Sequence, residues 1–96
     1  SKWKGLQIFY NDCNKENVNI ANKLTSYLKE HTYNIKESKK NNTYYMYKHI
    51  DTPGVLIELG FLSNPDDRYR LTHEEYQDKL INHLVNSIET YFIEKD

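Results

Sequence analysis

Little in this 96-residue chain is of the kind that staples a fold, spans a bilayer or grips a polyanion. It has one cysteine, Cys13, which excludes an internal disulfide framework, and no partner set for a nucleophilic thiol surrounds it. No run of about 18 apolar residues is present, so the sequence holds no membrane-spanning helix. A net charge of −1 leaves no electrostatic footprint for nucleic acid or for an anionic membrane. The three glycines stand apart at positions 5, 54 and 60, too scattered to cradle a phosphate. The opening Ser1-Lys2-Trp3-Lys4-Gly5 has neither an initiating methionine nor a secretory leader, and reads as the start of a processed or trimmed product.

What is present is a modest hydrophobic share of 38% and a generous aromatic share of 14%. Nine of the aromatics are tyrosines, whose rings can pack while the hydroxyls stay wet. A chain of this length makes one domain, near the lower end of what buries a dependable core, so it should fold with little stability to spare.

Patterning divides the chain into six elements. Leu6-Gln7-Ile8-Phe9-Tyr10 is a β-prone run that stops at Asn11-Asp12. Asn14 is placed to cap a helix with Glu16 in its first turn, and Val18, Ala21, Leu24 and Leu28 recur at helical spacing to about Thr32. Asn34 to Thr43 is polar and lysine-rich and reads as a loop, in which Lys36, Lys39 and Lys40 are solvated. Tyr44-Tyr45-Met46-Tyr47-Lys48 reads as a second strand, its tyrosines serving either as strand core or as a sugar-stacking platform. Asp51-Thr52-Pro53-Gly54 breaks it, and Val55-Leu56-Ile57-Glu58-Leu59 reads as a buried strand, apolar on both faces as in a parallel or covered sheet. After a loop from Gly60, Asn64-Pro65-Asp66-Asp67 opens a short helix, and Thr72-x-x-Glu75 is spaced as a capping box for a last one. In that helix Tyr76, Leu80, Leu84, Ile88 and Phe92 fall four apart, with Ile81 and Val85 beside them. The order β, α, β, β, α, α shows no repeat and no internal boundary, so residues 1–96 form one unit. Three strands and one long helix look like part of a larger α/β sheet whose remainder lies upstream.

Glu58 is the most informative residue. A carboxylate inside an apolar strand costs several kcal/mol of desolvation unless it is paired or meets a positive group. Two readings are open: a site residue, or a strand-end glutamate reaching water or a lysine. Gly60 and the loop beyond it favour the first, because α/β sites open at the C-terminal ends of strands. The four histidines, His31, His49, His73 and His83, read as surface or rim residues. A catalytic zinc needs three protein ligands and a water, and His73-Glu74-Glu75-Tyr76-Gln77 begins like the zinc-protease helix motif but ends in glutamine. Ser63 has no triad-like context and serves the turn.

The thirteen residues Pro53-Gly54-Val55-Leu56-Ile57-Glu58-Leu59-Gly60-Phe61-Leu62-Ser63-Asn64-Pro65 closely resemble the signature of zinc-dependent N-acetylmuramoyl-L-alanine amidases of the Amidase_3 type. In that family a proline, an apolar strand, a glutamate, Gly-Phe-Leu-Ser-Asn-Pro and an acidic helix start recur together. Gly5 to Tyr10 looks like the strand after the family's second histidine ligand, and Lys48 stands where the strand matching 44–48 usually ends in arginine. Ser1-Lys2-Trp3-Lys4-Gly5 ahead of Leu6 looks most like the germination-specific spore-cortex amidases.

The resemblance implies the C-terminal half of a three-layer α/β/α amidase domain, with Glu58 as catalytic glutamate. It implies a zinc whose ligands, two histidines and a glutamate, lie upstream of Ser1, so that this chain supplies the glutamate but no metal ligand and is inactive alone. The implied reaction is hydrolysis of the amide between the lactyl group of N-acetylmuramic acid and L-alanine in peptidoglycan. The implied setting is extracytoplasmic, at the cell wall or spore cortex, with the missing N-terminal half and a protein partner there. An inactive glycan- or protein-binding module derived from that fold is the alternative, and an unrelated small α/β protein sharing the motif by chance is a third reading.

Overall fold

Asn14 starts the first helix as its position predicts. Its backbone is extended, and its side chain accepts the Glu16 N–H, opening α1 (Lys15–Glu30). Ile20, Ala21, Leu24 and Leu28 line the buried stripe of α1. The helix ends at His31, whose N–H bonds the Leu28 and Tyr27 carbonyls, and Thr32 at φ 66° turns the chain away. The computed structural model describes residues 4–42, 52–61 and 63–95.

Three short strands, β1 (Gln7–Tyr10), β2 (Lys39–Lys40) and β3 (Leu56–Glu58), form a mixed sheet in the order β2-β1-β3. The central β1 pairs in parallel with β2, Phe9 opposite Lys39 and Tyr10 opposite Lys40. It pairs antiparallel with β3, Gln7 opposite Glu58, Ile8 opposite Ile57 and Phe9 opposite Leu56.

Two expectations are corrected here. Part of the segment read as a loop over 34–43 instead pairs with β1, at Ile35 and at Lys39–Lys40. Leu6 and Ile35 form a parallel bridge, the Leu6 N–H donates to Asn34 O at 2.8 Å, and the Lys36 N–H donates to Leu6 O at 3.0 Å. The pairing uses backbone groups while the lysines of β2 stay exposed, so hydrophobic patterning carries no trace of it. The strand read as buried on both faces is half-buried at all three positions and antiparallel to β1. It is the outermost described strand on its side of β1, and only alternate residues reach the helices. The strand expected over Tyr44 to Lys48 lies outside the described residues.

Asn64 caps α2 (Pro65–Leu71), its side chain accepting the N–H groups of Asp66 and Asp67. The capping box expected at Thr72 does not form. The Thr72 hydroxyl donates back to Arg68 O at 2.8 Å, closing α2, and α3 (Glu74–Lys95) begins with the Gln77 N–H on His73 O. With so short a link between the two helices, the hydroxyl is within reach of the carbonyls it follows.

One core joins Leu6 and Ile8 of the sheet side to Leu24 and Leu28 of α1 and Leu80 and Tyr91 of α3, with Val55 and Ile57 packed against it. Ile8 and Ile57 therefore face the helices, and the strand alternation puts Gln7, Phe9, Leu56 and Glu58 on the opposite face. Lys23 and Glu94 pair at 2.6 Å across the rim of α1 and α3, an exposed bridge of small energetic weight.

The apolar stripe of α3 divides. Leu80, Ser87 and Tyr91 are buried against the core, while Ile81, Ile88 and Phe92 are 56%, 41% and 46% exposed, and Val85 is exposed between them. A contiguous apolar strip of this kind promotes association. The purified 96-residue chain is expected to sediment as a concentration-dependent oligomer, and Ile81→Lys with Ile88→Lys to return it to a monomer. A wild-type chain that stays monomeric at high concentration and binds no apolar dye would contradict this.

Candidate functional site

Glu58 is the last residue of β3, half-buried and in register with Gln7 at the first position of β1. Because the two strands run antiparallel, the exit of β3 and the entry of β1 meet at one end of the sheet. This differs from the largely buried glutamate that an apolar strand predicts. Its cause is the alternation that turns Ile57 to the core and Glu58 to the other face.

Both ends of β3 are held by buried polar side chains. At the entry, the Gly54 N–H donates to Asn17 Oδ1 at 2.8 Å, and Asn17 Nδ2 donates to Asn11 O at 2.9 Å, tying the strand to α1 and to the end of β1. At the exit, the Asp67 carboxylate, 5% exposed, receives two backbone N–H groups at 2.9 Å, from Phe61 and from Gly5. Lys36 Nζ sits 5.3 Å from the centroid of the Phe61 ring, a cation–π contact that closes the outer side of the loop.

Gly60 makes room for this arrangement. A Cβ there would come within 3.2 Å of Leu71 Cδ1 and 3.3 Å of the Asp67 carboxylate, and its φ of +153° is a conformation side chains rarely adopt. Gly60→Ala is expected to lower unfolding stability by about 1–3 kcal/mol, read from denaturant melts. An unchanged midpoint would show that the loop relaxes without cost.

Sequence reasoning saw Asp66 and Asp67 only as acids in a first helical turn, and did not single out Asn17. The available signal was the spacing of Asp67 behind Gly60-Phe61, too short for the carboxylate to avoid the loop it follows.

The histidines are placed as follows. His31 and His83 lie in a half-buried aromatic cluster rather than on an open rim, their ring centroids 4.7 Å apart. His31 stacks on Tyr27 at 4.2 Å, and its Nδ1 meets the Tyr27 carbonyl at 2.8 Å, so Nδ1 carries the proton. His83 Nδ1 bonds the Tyr33 hydroxyl at 2.7 Å. His73 is exposed and stacks on Tyr69 at 3.8 Å. His49 lies outside the described residues. Among the described residues no three His, Cys, Asp or Glu side chains converge as a metal site.

A cleft of about 410 Å³ opens on the helix side near the same end of the sheet, lined in part by Gly5, Tyr33, Asp67, Arg70, Tyr76 and Lys79. Burial pushes the Tyr33 and Tyr76 phenols above their ordinary range, so both remain neutral donors there.

A small mixed sheet packed against helices, with a long C-terminal helix, matches the C-terminal part of an amidase domain. The chain belongs to the N-acetylmuramoyl-L-alanine amidase family, Amidase_3, which it matches over residues 1–90. It is 36% identical over 95 residues to the germination-specific N-acetylmuramoyl-L-alanine amidase of Bacillus subtilis, covering 98% of this chain and 40% of that protein. Among solved structures it resembles the CwlD amidase from Clostridioides difficile, determined in complex with the GerS lipoprotein. There the identity is 34% and the TM-score 0.85, over 96% of this chain and 48% of that one. An N-acetylmuramoyl-L-alanine amidase from Clostridium difficile 630 shares the fold at 22% identity and TM-score 0.83, over 97% of this chain and 50% of that one. The chain thus spans half or less of the length of these relatives.

Proposed function

We propose that this chain is the C-terminal part of a peptidoglycan amidase that hydrolyses the bond between N-acetylmuramic acid and L-alanine, with Glu58 as its general acid and base. The observation that carries the reading is the position of Glu58, at the exit of a strand clamped at both ends, inside a thirteen-residue match to the family signature.

The chemistry assigned to Glu58 is a two-way proton transfer. Its carboxylate accepts a proton from water as the water oxygen attacks the lactyl carbonyl carbon. The resulting carboxylic acid of Glu58 returns that proton to the amide nitrogen as the C–N bond breaks, so the leaving group departs as the L-alanine amine. The other product is the lactyl carboxylic acid, whose own proton passes to the freed amine to give carboxylate and ammonium. One residue that takes and then gives the same proton leaves the protein unchanged after each turnover. Zinc, held by ligands outside this chain, would supply Lewis-acid activation of the carbonyl and water.

The setting is read from the relatives: the family is named for a bond found in cell-wall peptidoglycan, and the Bacillus subtilis relative is named for germination. On this reading the chain works outside the cytoplasm, at the wall or spore cortex, joined to the remainder of its domain and open to a protein partner, as CwlD is to GerS. The test is digestion of purified peptidoglycan by the full-length gene product, followed by labelling of newly freed amino termini. Release of L-alanine amino termini is expected. Release of reducing sugar ends in their place, or of nothing from a folded, zinc-loaded preparation, would overturn the assignment.

A further inference from the structure

We infer that Asp67 is a positioning residue for Glu58: it holds the end of β3 in the place where the glutamate can exchange its proton. This rests on the acid/base role proposed for Glu58.

One oxygen of Asp67 ties together the two chain segments that meet at the site. Oδ2 accepts the Gly5 N–H, at the approach to β1, and the Phe61 N–H, three residues beyond Glu58, both at 2.9 Å. Between these anchors lies the register pair Gln7–Glu58. The carboxylate therefore sets how far the end of β3 sits from the start of β1, and where the chain turns after Glu58.

Asp67 is itself fixed by a closed ring of hydrogen bonds. The Phe61 N–H donates to Asp67 Oδ2, the Asp67 N–H to Asn64 Oδ1 at 3.1 Å, and the Asn64 N–H to Phe61 O at 2.9 Å. Arg70 Nη1 stands 3.5 Å from Oδ1, the oxygen that the ring does not use. The loop after the glutamate is thus locked to the first turn of α2. A short surface helix has no need of a 5% exposed carboxylate bonded 62 residues away in sequence to cap it. Asn64 already does that work with two N–H groups.

An acid/base group must sit within a fraction of an ångström of its productive place, and a misplacement of about 1 Å costs about 10²-fold in rate. Held by backbone bonds alone, β3 has only three paired residues, and its last one is Glu58. The carboxylate supplies the constraint beyond that last pair.

The experiment uses the full-length protein with Asp67→Ala, Asp67→Asn, Asp67→Glu, Glu58→Gln and the double variant Glu58→Gln/Asp67→Ala. Asp67→Ala is expected to lower kcat by about 100-fold, with KM and bound metal unchanged. Asp67→Asn keeps an acceptor oxygen in place and is expected to recover most of that loss, which a requirement for charge would not allow. The double variant is expected to be no slower than Glu58→Gln alone, because a positioning residue has nothing left to act through. If Asp67→Ala fails to fold, Asp67→Glu carries the test: its carboxylate is displaced by one methylene, and kcat is expected to fall while the melt stays cooperative. A folded Asp67→Ala or Asp67→Glu with wild-type kcat would overturn the inference and leave Glu58 untouched. A fully active Glu58→Gln would remove the role of Glu58 and this inference with it.

Discussion

In the full-length protein, Glu58→Gln is expected to abolish peptidoglycan hydrolysis while leaving the fold and the zinc content intact. Glutamine has the same shape, and its amide fits a half-buried strand end opposite Gln7 without strain or a new charge. What it lacks is the capacity to take a proton from water and return it to a leaving amine. A positioned acid/base contributes about 10²–10⁴-fold, and the same group serves both halves of the reaction, so the loss in kcat should reach several orders of magnitude. KM should move little, because the glutamate acts on the reacting atoms and not on the remote parts of the glycan peptide. Thermal melts and metal analysis run beside the kinetics separate a chemical defect from a folding one. Turnover close to wild type would end the assignment.

The second large effect concerns the 96-residue chain by itself. It is expected to show no amidase turnover and no tight, one-to-one binding of zinc. Each described histidine already has a protein partner: His31 the Tyr27 carbonyl, His83 the Tyr33 hydroxyl, and His73 the Tyr69 carbonyl. These contacts use Nδ1 alone and leave each Nε2 open, but among the described residues no three candidate ligands share one place. Calorimetric titration of the tag-free chain should give weak heats that do not saturate at unit stoichiometry. Supplying the remainder of the full-length protein as a second polypeptide is expected to restore activity. A tight single zinc site in the isolated chain, or hydrolysis by it, would contradict the division of labour proposed between the halves.

Much of the architecture was legible in local pattern. Asn14 and Asn64 were readable as caps because capping is a short-range hydrogen bond between a side chain and the next few N–H groups. The stripe from Val18 to Leu28 was readable because one face of α1 meets one core. Glu58 stood out because a charged residue interrupts an otherwise apolar run, where burial would cost several kcal/mol. The thirteen-residue signature around it carried the family, which the comparisons bear out.

Other features were illegible for definite reasons. Strand β2 is held by backbone bonds to β1, and backbone bonds leave no side-chain signature. Thr72 could satisfy either the helix before it or the one after it, and only the short link between them decided for the carbonyls of α2. Helix α3 carries apolar residues around more than one face, and nothing in its spacing says that Leu80 and Tyr91 join the core while Ile88 and Phe92 do not.

By itself, then, the sequence determined the starts of α1 and α2, the short strands at Leu6–Tyr10 and around Glu58, the family, and the residue to suspect. These depend on neighbours within about four positions along the chain or on a contiguous motif. Only the tertiary structure decided that β3 runs antiparallel to β1 and that Glu58 turns away from the helices. It alone brought Asn17 to Gly54 across 37 residues, and Asp67 to Gly5 across 62. Such contacts join groups with no local relation, and a buried Asn or Asp reads as a turn or cap residue until the fold shows which N–H groups it receives.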